Sequence, residues 1–268
     1  MVTTRGGARA MLDHRVGEVM HPVVGPAVEA ERLYCGPARL REWLAEPASD
    51  ALVVWDVGLG AGSNAIAAWR LSEAMPPSGR RMEIVSFEWQ LDALTLAIHP
   101  DHAAEFGLEG AAGEAAAALL DAGRHVTERT TWRLVEGVLP DTLGTEPAAT
   151  ADVVFWDLYS PRANPGLWSW AAFTALRRGC RAGATVQTYA GATAARSALL
   201  LGGFAVGIGE ETGRNKYATC AAVDAADLGH PLDRRWLERL ARSSAPFPVD
   251  APPDALARIT AMPQFGGA

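Results

Sequence analysis

From about residue 51 onward, short apolar runs alternate with amphipathic, alanine-rich stretches, the pattern of successive βαβ units. The runs predict strands at Leu52 to Val57, Glu83 to Glu88, Trp132 to Glu136, Asp152 to Asp157, Ala184 to Tyr189, Phe204 to Gly209 and Lys216 to Val223. Helices are predicted over Ser63 to Glu73, Leu91 to Ile98, Gly113 to Ala122, Trp168 to Arg178 and Thr193 to Leu201. Several strand runs are apolar at consecutive positions, as expected when helices cover both faces of a mostly parallel sheet. Only Glu210 to Asn215 separate the last two strands, too few residues for a crossover, so these two are expected to pair antiparallel.

Residues 51–223 therefore read as one α/β domain. Before it, Pro22, Pro26 and Pro37 punctuate an N-terminal cover segment, 1–50, with one helix near Arg39 to Leu44. After it, 224–268 read as a helical, proline-rich extension with a helix around Asp233 to Arg242. The chain has 268 residues, 49% of them hydrophobic, enough for a full core. Its 24 Lys and Arg against 31 Asp and Glu leave a net charge of -7, so a nucleic-acid partner would need a local basic patch. Cys35, Cys180 and Cys220 lie far apart and indicate neither a disulfide framework nor a zinc site. No apolar run reaches the roughly 18 residues of a membrane span, and no signal-like apolar core stands near the N-terminus, so a cytoplasmic location is expected.

Lys216 is the single lysine, and its neighbours Asn215 and Tyr217 rule out a G-x-x-x-x-G-K-[ST] phosphate loop. His99 and His102 flank Asp101, but without a third placed ligand they read as a solvated loop, and no metal is expected. Asp56-Val57-Gly58-Leu59-Gly60-Ala61-Gly62-Ser63-Asn64 sits where the first strand hands over to a helix. Glycines there let the backbone turn sharply and approach a ligand, and the helix start offers free N–H donors. A dinucleotide fingerprint would need glycine at position 63, which is serine. Asp56 instead suits a cationic ligand such as the amino group of S-adenosylmethionine, and Glu88, ending the second strand, is placed to accept from ribose hydroxyls. The cofactor-binding set is thus Asp56, Gly58, Gly60, Gly62, Asn64 and Glu88. With the terminal hairpin, it predicts a class I S-adenosylmethionine-dependent methyltransferase, a Rossmann-like α/β fold with a seven-stranded, mostly parallel sheet.

The fourth strand is followed by Asp157-Leu158-Tyr159-Ser160-Pro161-Arg162-Ala163-Asn164-Pro165-Gly166-Leu167-Trp168. In open α/β sheets ligands meet beyond the carboxyl ends of the central strands, which makes Asp157 the leading candidate for a working residue. An aspartate here also caps turns, the structural alternative. The block resembles the Asp-Gly-Phe-Ala-Pro…Asn-Pro…Trp motif of the MnmC methyltransferase-domain family, which finishes 5-methylaminomethyl-uridine at the tRNA wobble position. The resemblance runs through the glycine loop, Ser86-Phe87-Glu88, Gln187-Thr188-Tyr189-Ala190 and Gly213-Arg214-Asn215-Lys216-Tyr217, from about Ala51 to Val223. Departures are Leu158 for glycine, Ala163 for lysine with Arg162 one position earlier, and Glu136-Gly137-Val138 where relatives place an aspartate after the glycine.

The resemblance implies S-adenosylmethionine as cofactor and N-methylation of the aminomethyl group of 5-aminomethyl-(2-thio)uridine in tRNA. Asp157 would lie beside both the cofactor and the reacting amine, to orient the amine and take its proton or pass it to water. Tyr159 would be an aromatic wall for the base, with Pro161, Asn164, Trp168, Arg214 and Lys216 along the same entrance. No counterpart of the flavin oxidase half of the bifunctional enzyme is present, which implies a separate flavin oxidase partner. Two alternatives stand beside this reading: a small-molecule amine methyltransferase of the same fold, and a non-catalytic S-adenosylmethionine-binding module. Arginines 162, 177, 178 and 196, with Arg214 and Lys216, would favour RNA if they cluster at the cavity mouth.

Overall fold

The structure, a computed structural model, describes residues 1–4, 7, 9–20, 25–212 and 217–266. Its centre is one eight-stranded sheet of β1 (Leu52–Val57), β2 (Met82–Glu88), β3 (Arg124–Val126), β4 (Thr130–Glu136), β5 (Ala151–Trp156), β6 (Cys180–Thr188), β7 (Ala205–Glu211) and β8 (Tyr217–Ala222). The spatial order is β7-β8-β6-β5-β1-β2-β4-β3. β6, β5, β1, β2 and β4 run parallel, and β7–β8 form the expected antiparallel hairpin, with β8 also antiparallel to β6. The strand missing from the sequence reading is β3, an antiparallel edge strand on β4 with a single apolar residue, Val126.

Consecutive apolar residues divide between two cores because strand side chains alternate faces. Leu52, Val54, Ile84, Trp132, Val153 and Phe155 join one core, which packs Tyr34, Leu40 and Leu44 from the N-terminal segment. Val53, Trp55, Val57, Val85, Val154 and Trp156 join the other. Around the sheet lie α1 (Leu40–Ala45), α2 (Ser63–Glu73), α3 (Asp92–Ala97), α4 (Ala111–Ala122), α5 (Trp170–Gly179), α6 (Thr193–Leu201), α7 (Arg234–Ala241) and α8 (Ala255–Thr260). Helix α5 begins where the Ser169 hydroxyl accepts from the Ala172 N–H, and Asp250 accepts from the N–H groups of Trp170 and Ala171 at 2.8 and 2.9 Å. A carboxylate at a helix N-terminus is favoured by the free N–H groups there. The C-terminal segment also guards the sheet edge, since the Gln264 amide bonds both the N–H and the carbonyl of Val206 on β7. Among the described residues, no helix is long and apolar enough to cross a membrane.

Two features of this architecture position the site. The parallel strands β1, β2 and β5 all end on one side, bringing residues 57–60, Glu88 and Asp157 together. Over that side lies an N-terminal hairpin, Leu12–Asp13 paired with Glu18–Val19, a two-residue ladder with no periodicity to read in sequence.

Candidate active site

The glycine loop turns as its composition requires. Gly58, Gly60 and Gly62 have φ of 93°, 52° and 83°, in the region that favours glycine. A Cβ on Gly58 would stand 2.6 Å from the Asp157 carbonyl oxygen, so this glycine permits β1 and β5 to approach at their ends. A Cβ on Gly60 would meet nothing nearer than the Met20 sulfur at 3.7 Å, which leaves its space open to the cavity. Helix α2 follows with no side-chain cap on its first turn, and Ser63 and Asn64 line the cavity. Among the described residues, the buried Ser63 hydroxyl and Asn64 carbonyl oxygen have no hydrogen-bond partner.

Glu88 also lies on the cavity wall. Its carboxylate accepts from Gly60 N–H at 3.1 Å, Trp89 N–H at 2.9 Å and Gln90 N–H at 3.2 Å, tying β2 to the glycine loop. An ionised carboxylate offers about four acceptor positions, so one stays free for a ligand hydroxyl. Asp56 is placed differently from the sequence expectation. It is 1% exposed, lies off the cavity wall beneath the loop, and accepts from the Ser86 hydroxyl at 2.8 Å. Burial pushes its carboxyl up to about 7; the Ser86 bond opposes that shift, while Asp157 and Glu88 add to it.

Asp157 follows the end of β5 and lines the cavity. Its Oδ2 accepts from the Asn64 amide at 2.7 Å, which links the acid to the first turn of α2. The turn-capping alternative is not what holds the block: the Ser160 carbonyl accepts from Ala163 and Asn164 N–H, each at 2.9 Å. Tyr34, buried in the N-terminal segment, faces the same carboxylate, and its phenol is driven well above its ordinary range by burial and then by Asp157. Sequence reasoning missed Tyr34, because a lone tyrosine over 120 residues away carries no local signal.

Tyr159, Pro161 and Asn164 line the cavity, and the N-terminal hairpin clasps their block. The Tyr159 hydroxyl donates to Asp13 at 2.8 Å, Ser160 N–H donates to Glu18 at 2.9 Å, and the Ser160 hydroxyl also bonds Glu18. Burial alone would raise the Asp13 carboxyl, but bonds from Arg15 and Tyr159 bring it down to about 2. Trp168 departs from expectation and is off the wall. It is 2% exposed, edge-on to Phe173 and Tyr189, and its indole N–H donates to the Tyr159 carbonyl at 2.7 Å. Burying that ring in the core and satisfying its N–H explains the inward turn. Arg214 and Lys216 lie outside the described residues.

Of the other arginines considered, Arg196 reaches the cavity. Arg162 is exposed and 3.8 Å from Glu18, Arg177 lies over the Phe204 ring, and Arg178 is not on the wall. His99 and Asp101 form an exposed pair, and among the described residues no three His, Cys, Asp or Glu side chains are grouped to hold a metal ion.

The whole cavity measures about 1730 Å³, more than a single small ligand fills, so cofactor and acceptor can share it. An adenosine-type sulfonium cofactor fits the residues present. The open space over Gly60, the orphaned oxygens of Ser63 and Asn64, and the acids Glu88 and Asp157 match a ligand that carries hydroxyls, an ammonium and a positive sulfur.

The comparisons with known proteins agree. Residues 124–224 match a family model described as S-adenosyl-L-methionine-dependent methyltransferase. The tRNA 5-methylaminomethyl-2-thiouridine biosynthesis bifunctional protein MnmC of Ralstonia nicotianae is 30% identical over 222 residues, covering 78% of this chain and 32% of that protein. The protein of the same name from Chromohalobacter salexigens is 30% identical over 234 residues, covering 82% and 30%. The chain thus spans about a third of the length of these curated relatives. The crystal structure of MnmC2 from Aquifex aeolicus superposes with a TM-score of 0.74 at 23% identity, covering 97% of this chain and 85% of that one, which shows the shared fold. Together with the sheet order and the glycine loop, these findings identify the chain as a class I S-adenosylmethionine-dependent methyltransferase whose sequence is similar to about a third of the MnmC proteins.

Proposed function

We propose that this methyltransferase acts on the aminomethyl nitrogen of 5-aminomethyl-(2-thio)uridine at the wobble position of tRNA. The observation that carries the reading is the placement of Asp157: a carboxylate at the end of a central strand, held by Asn64, on a cavity wall it shares with Tyr159 and the glycine loop. The names of the sequence relatives, which refer to 5-methylaminomethyl-2-thiouridine in tRNA, support it.

The cofactor, when bound, supplies a methyl group on a positively charged sulfur. Gly60 and the first turn of α2 would receive its methionine end, Glu88 its ribose hydroxyls, and the apolar Val138, Leu139 and Pro140 one face of its adenine. Asp56, beneath the loop, supports it from behind. Transfer needs an amine lone pair in line with the methyl–sulfur bond, so the acceptor must be unprotonated when it reacts. Asp157 would accept a hydrogen bond from the amine and so aim its lone pair. As the nitrogen–carbon bond forms and the carbon–sulfur bond breaks, the extra proton on nitrogen passes to Asp157 or through it to water. Tyr159 offers a ring on which an extruded base can stack, worth about 1–3 kcal/mol. A separate flavin oxidase would supply the primary amine, and a cytoplasmic location follows from the tRNA substrate.

The test is transfer of labelled methyl from S-adenosylmethionine to bulk tRNA lacking the final wobble methyl, followed by nucleoside analysis. Label in 5-methylaminomethyl-uridine or its 2-thio form is the expected result. Cofactor binding with no label in RNA would refute the tRNA reading and favour a small-molecule amine as acceptor.

A further inference from the structure

The cavity is also lined by arginines that the methyl-transfer chemistry does not use. Arg196, on α6, is 5% exposed. Its guanidinium donates to the carbonyls of Tyr217 and Ala218 at 3.2 and 3.1 Å and to the Thr219 hydroxyl at 3.0 Å. All these partners are neutral, and among the described residues Arg196 has no ion-pair partner. A buried charge is costly unless an opposite charge compensates it. Burial and the nearby Arg239 accordingly bring its pKa down to about 10. Arg239, on α7, is exposed, lines the same cavity, and likewise has no ion-pair partner among the described residues.

Arg32 completes the group. Its guanidinium donates to the Glu211 carbonyl at 3.5 Å, and Glu211 is the register partner of Tyr217 across the β7–β8 hairpin. Arg32 and Arg196 therefore bond the two strands of one hairpin at the pair nearest its turn, Arg32 on Glu211 and Arg196 on Tyr217. The corner is closely packed: a Cβ on Gly191 would fall 2.3 Å from the Tyr217 carbonyl oxygen and 3.7 Å from the Arg196 guanidinium. Gly191, Ala192 and Thr193 line the cavity where α6 starts without a side-chain cap. Glu29 and Glu211 also line the cavity.

We infer that Arg32, Arg196 and Arg239 form a subsite for a backbone phosphate of single-stranded RNA, next to the nucleotide presented to Asp157. This inference rests on the tRNA reading for the identity of the RNA, but the phosphate subsite can be tested without turnover. It also answers the net charge of -7, because a few guanidiniums concentrated in the cavity supply the local patch that the overall composition lacks.

The test uses the full chain and a 17-nucleotide anticodon stem-loop RNA, with binding followed by fluorescence anisotropy across a range of salt concentrations. Each phosphate contact contributes about 0.7 to the slope of log affinity against log salt for single strands. The exposed-arginine variants R32Q and R239Q are each expected to lower the slope by about that much, and the double variant by about twice as much. Turnover of the free nucleoside 5-aminomethyluridine, which has no phosphate, should stay within twofold of the unmodified protein. R196Q is expected to weaken RNA binding further; because Arg196 also ties β8 to α6, the two exposed variants keep the test decisive if R196Q fails to fold. An unchanged slope in the double variant overturns the subsite, as does an absence of RNA binding by the unmodified protein. RNA binding with the expected slope losses but no methylation leaves the subsite standing and removes the tRNA-methylation reading alone.

Discussion

Gly58→Ala separates the geometry of the glycine loop from its mere composition. The residue has φ of 93°, and an added Cβ would lie 2.6 Å from the Asp157 carbonyl oxygen and 2.9 Å from a methyl of Leu158. Left-handed backbone costs a residue with a Cβ about 1–2 kcal/mol. Forcing an extra carbon into a packed contact adds about 1–3 kcal/mol. The sum, about 2–5 kcal/mol, corresponds to a fall in Tm of roughly 5–15 °C for a chain of this size. Relief of the contact must move either the loop or the Asp157 backbone by more than half an ångström, to about 3.2 Å or beyond. A misplacement of about 1 Å can cost two orders of magnitude in rate, so kcat should fall about 10- to 100-fold. Gly60→Ala is the control, since its Cβ meets only Met20 at 3.7 Å and carries the backbone cost alone. Its Tm should fall by no more than roughly 2–6 °C, while the new methyl group intrudes on the cofactor space and weakens cofactor affinity. Thermal melts by circular dichroism and calorimetric titration with S-adenosylmethionine read both effects. Equal losses of Tm in the two variants would refute the close approach of β1 and β5 as the reason for Gly58.

Three other perturbations probe neighbouring parts of the site. Asp56 has its carboxyl raised to about 7, so its protonated form favours the folded state; that contribution is complete below pH 4 and fades as pH rises through 7. Tm should decline between pH 5 and pH 8 in the unmodified protein and decline less in Asp56→Asn; identical declines would contradict the assignment. Tyr159→Ala should raise KM for RNA by about 5- to 160-fold, from the loss of about 1–3 kcal/mol of base stacking, and leave cofactor affinity within threefold. An unchanged KM would remove the tyrosine from the acceptor site. Glu18→Ala frees the Ser160 end of the block, and a rise in KM for RNA at constant cofactor affinity is expected; if steady-state kinetics show no change, the hairpin clasp has no part in acceptor binding.

The sheet and its first helix were legible because their signals are local. Helices Ser63–Glu73 and Thr193–Leu201 appear with the bounds their pattern predicts, and the β7–β8 hairpin follows from the shortness of its connection. Asp157, Glu88, Gly58 and Gly60 come to one cavity wall because a βα unit puts strand ends and loop on one side of the sheet, whereas Gly62 is off that wall and packs toward Leu94. What escaped reading depends on distant contacts. The Leu12–Val19 hairpin has two-residue strands and is held over the site by Asp13 and Glu18 reaching Tyr159 and Ser160, more than 140 positions away. Tyr34 comes to Asp157 through packing of the N-terminal segment, and Arg239 reaches the cavity from α7, in a region whose composition offers no motif. Trp168 shows the converse error, since its place in a motif suggested the entrance while the size of its ring and its N–H partner drew it into the core.

The placement of Asp157 as the group that handles the amine is tested most directly by Asp157→Ala, with cofactor affinity and labelled methyl transfer to tRNA lacking the wobble methyl measured on one preparation. The carboxylate stands beside the cofactor loop and is held by the protein's own Asn64 amide, so affinity for S-adenosylmethionine should stay within about threefold. Loss of an orienting, charge-bearing bond of about 3 kcal/mol or more lowers transfer at least 100-fold. Transfer at the unmodified rate, or a loss of cofactor binding as large as the loss of transfer, would contradict the role assigned to Asp157.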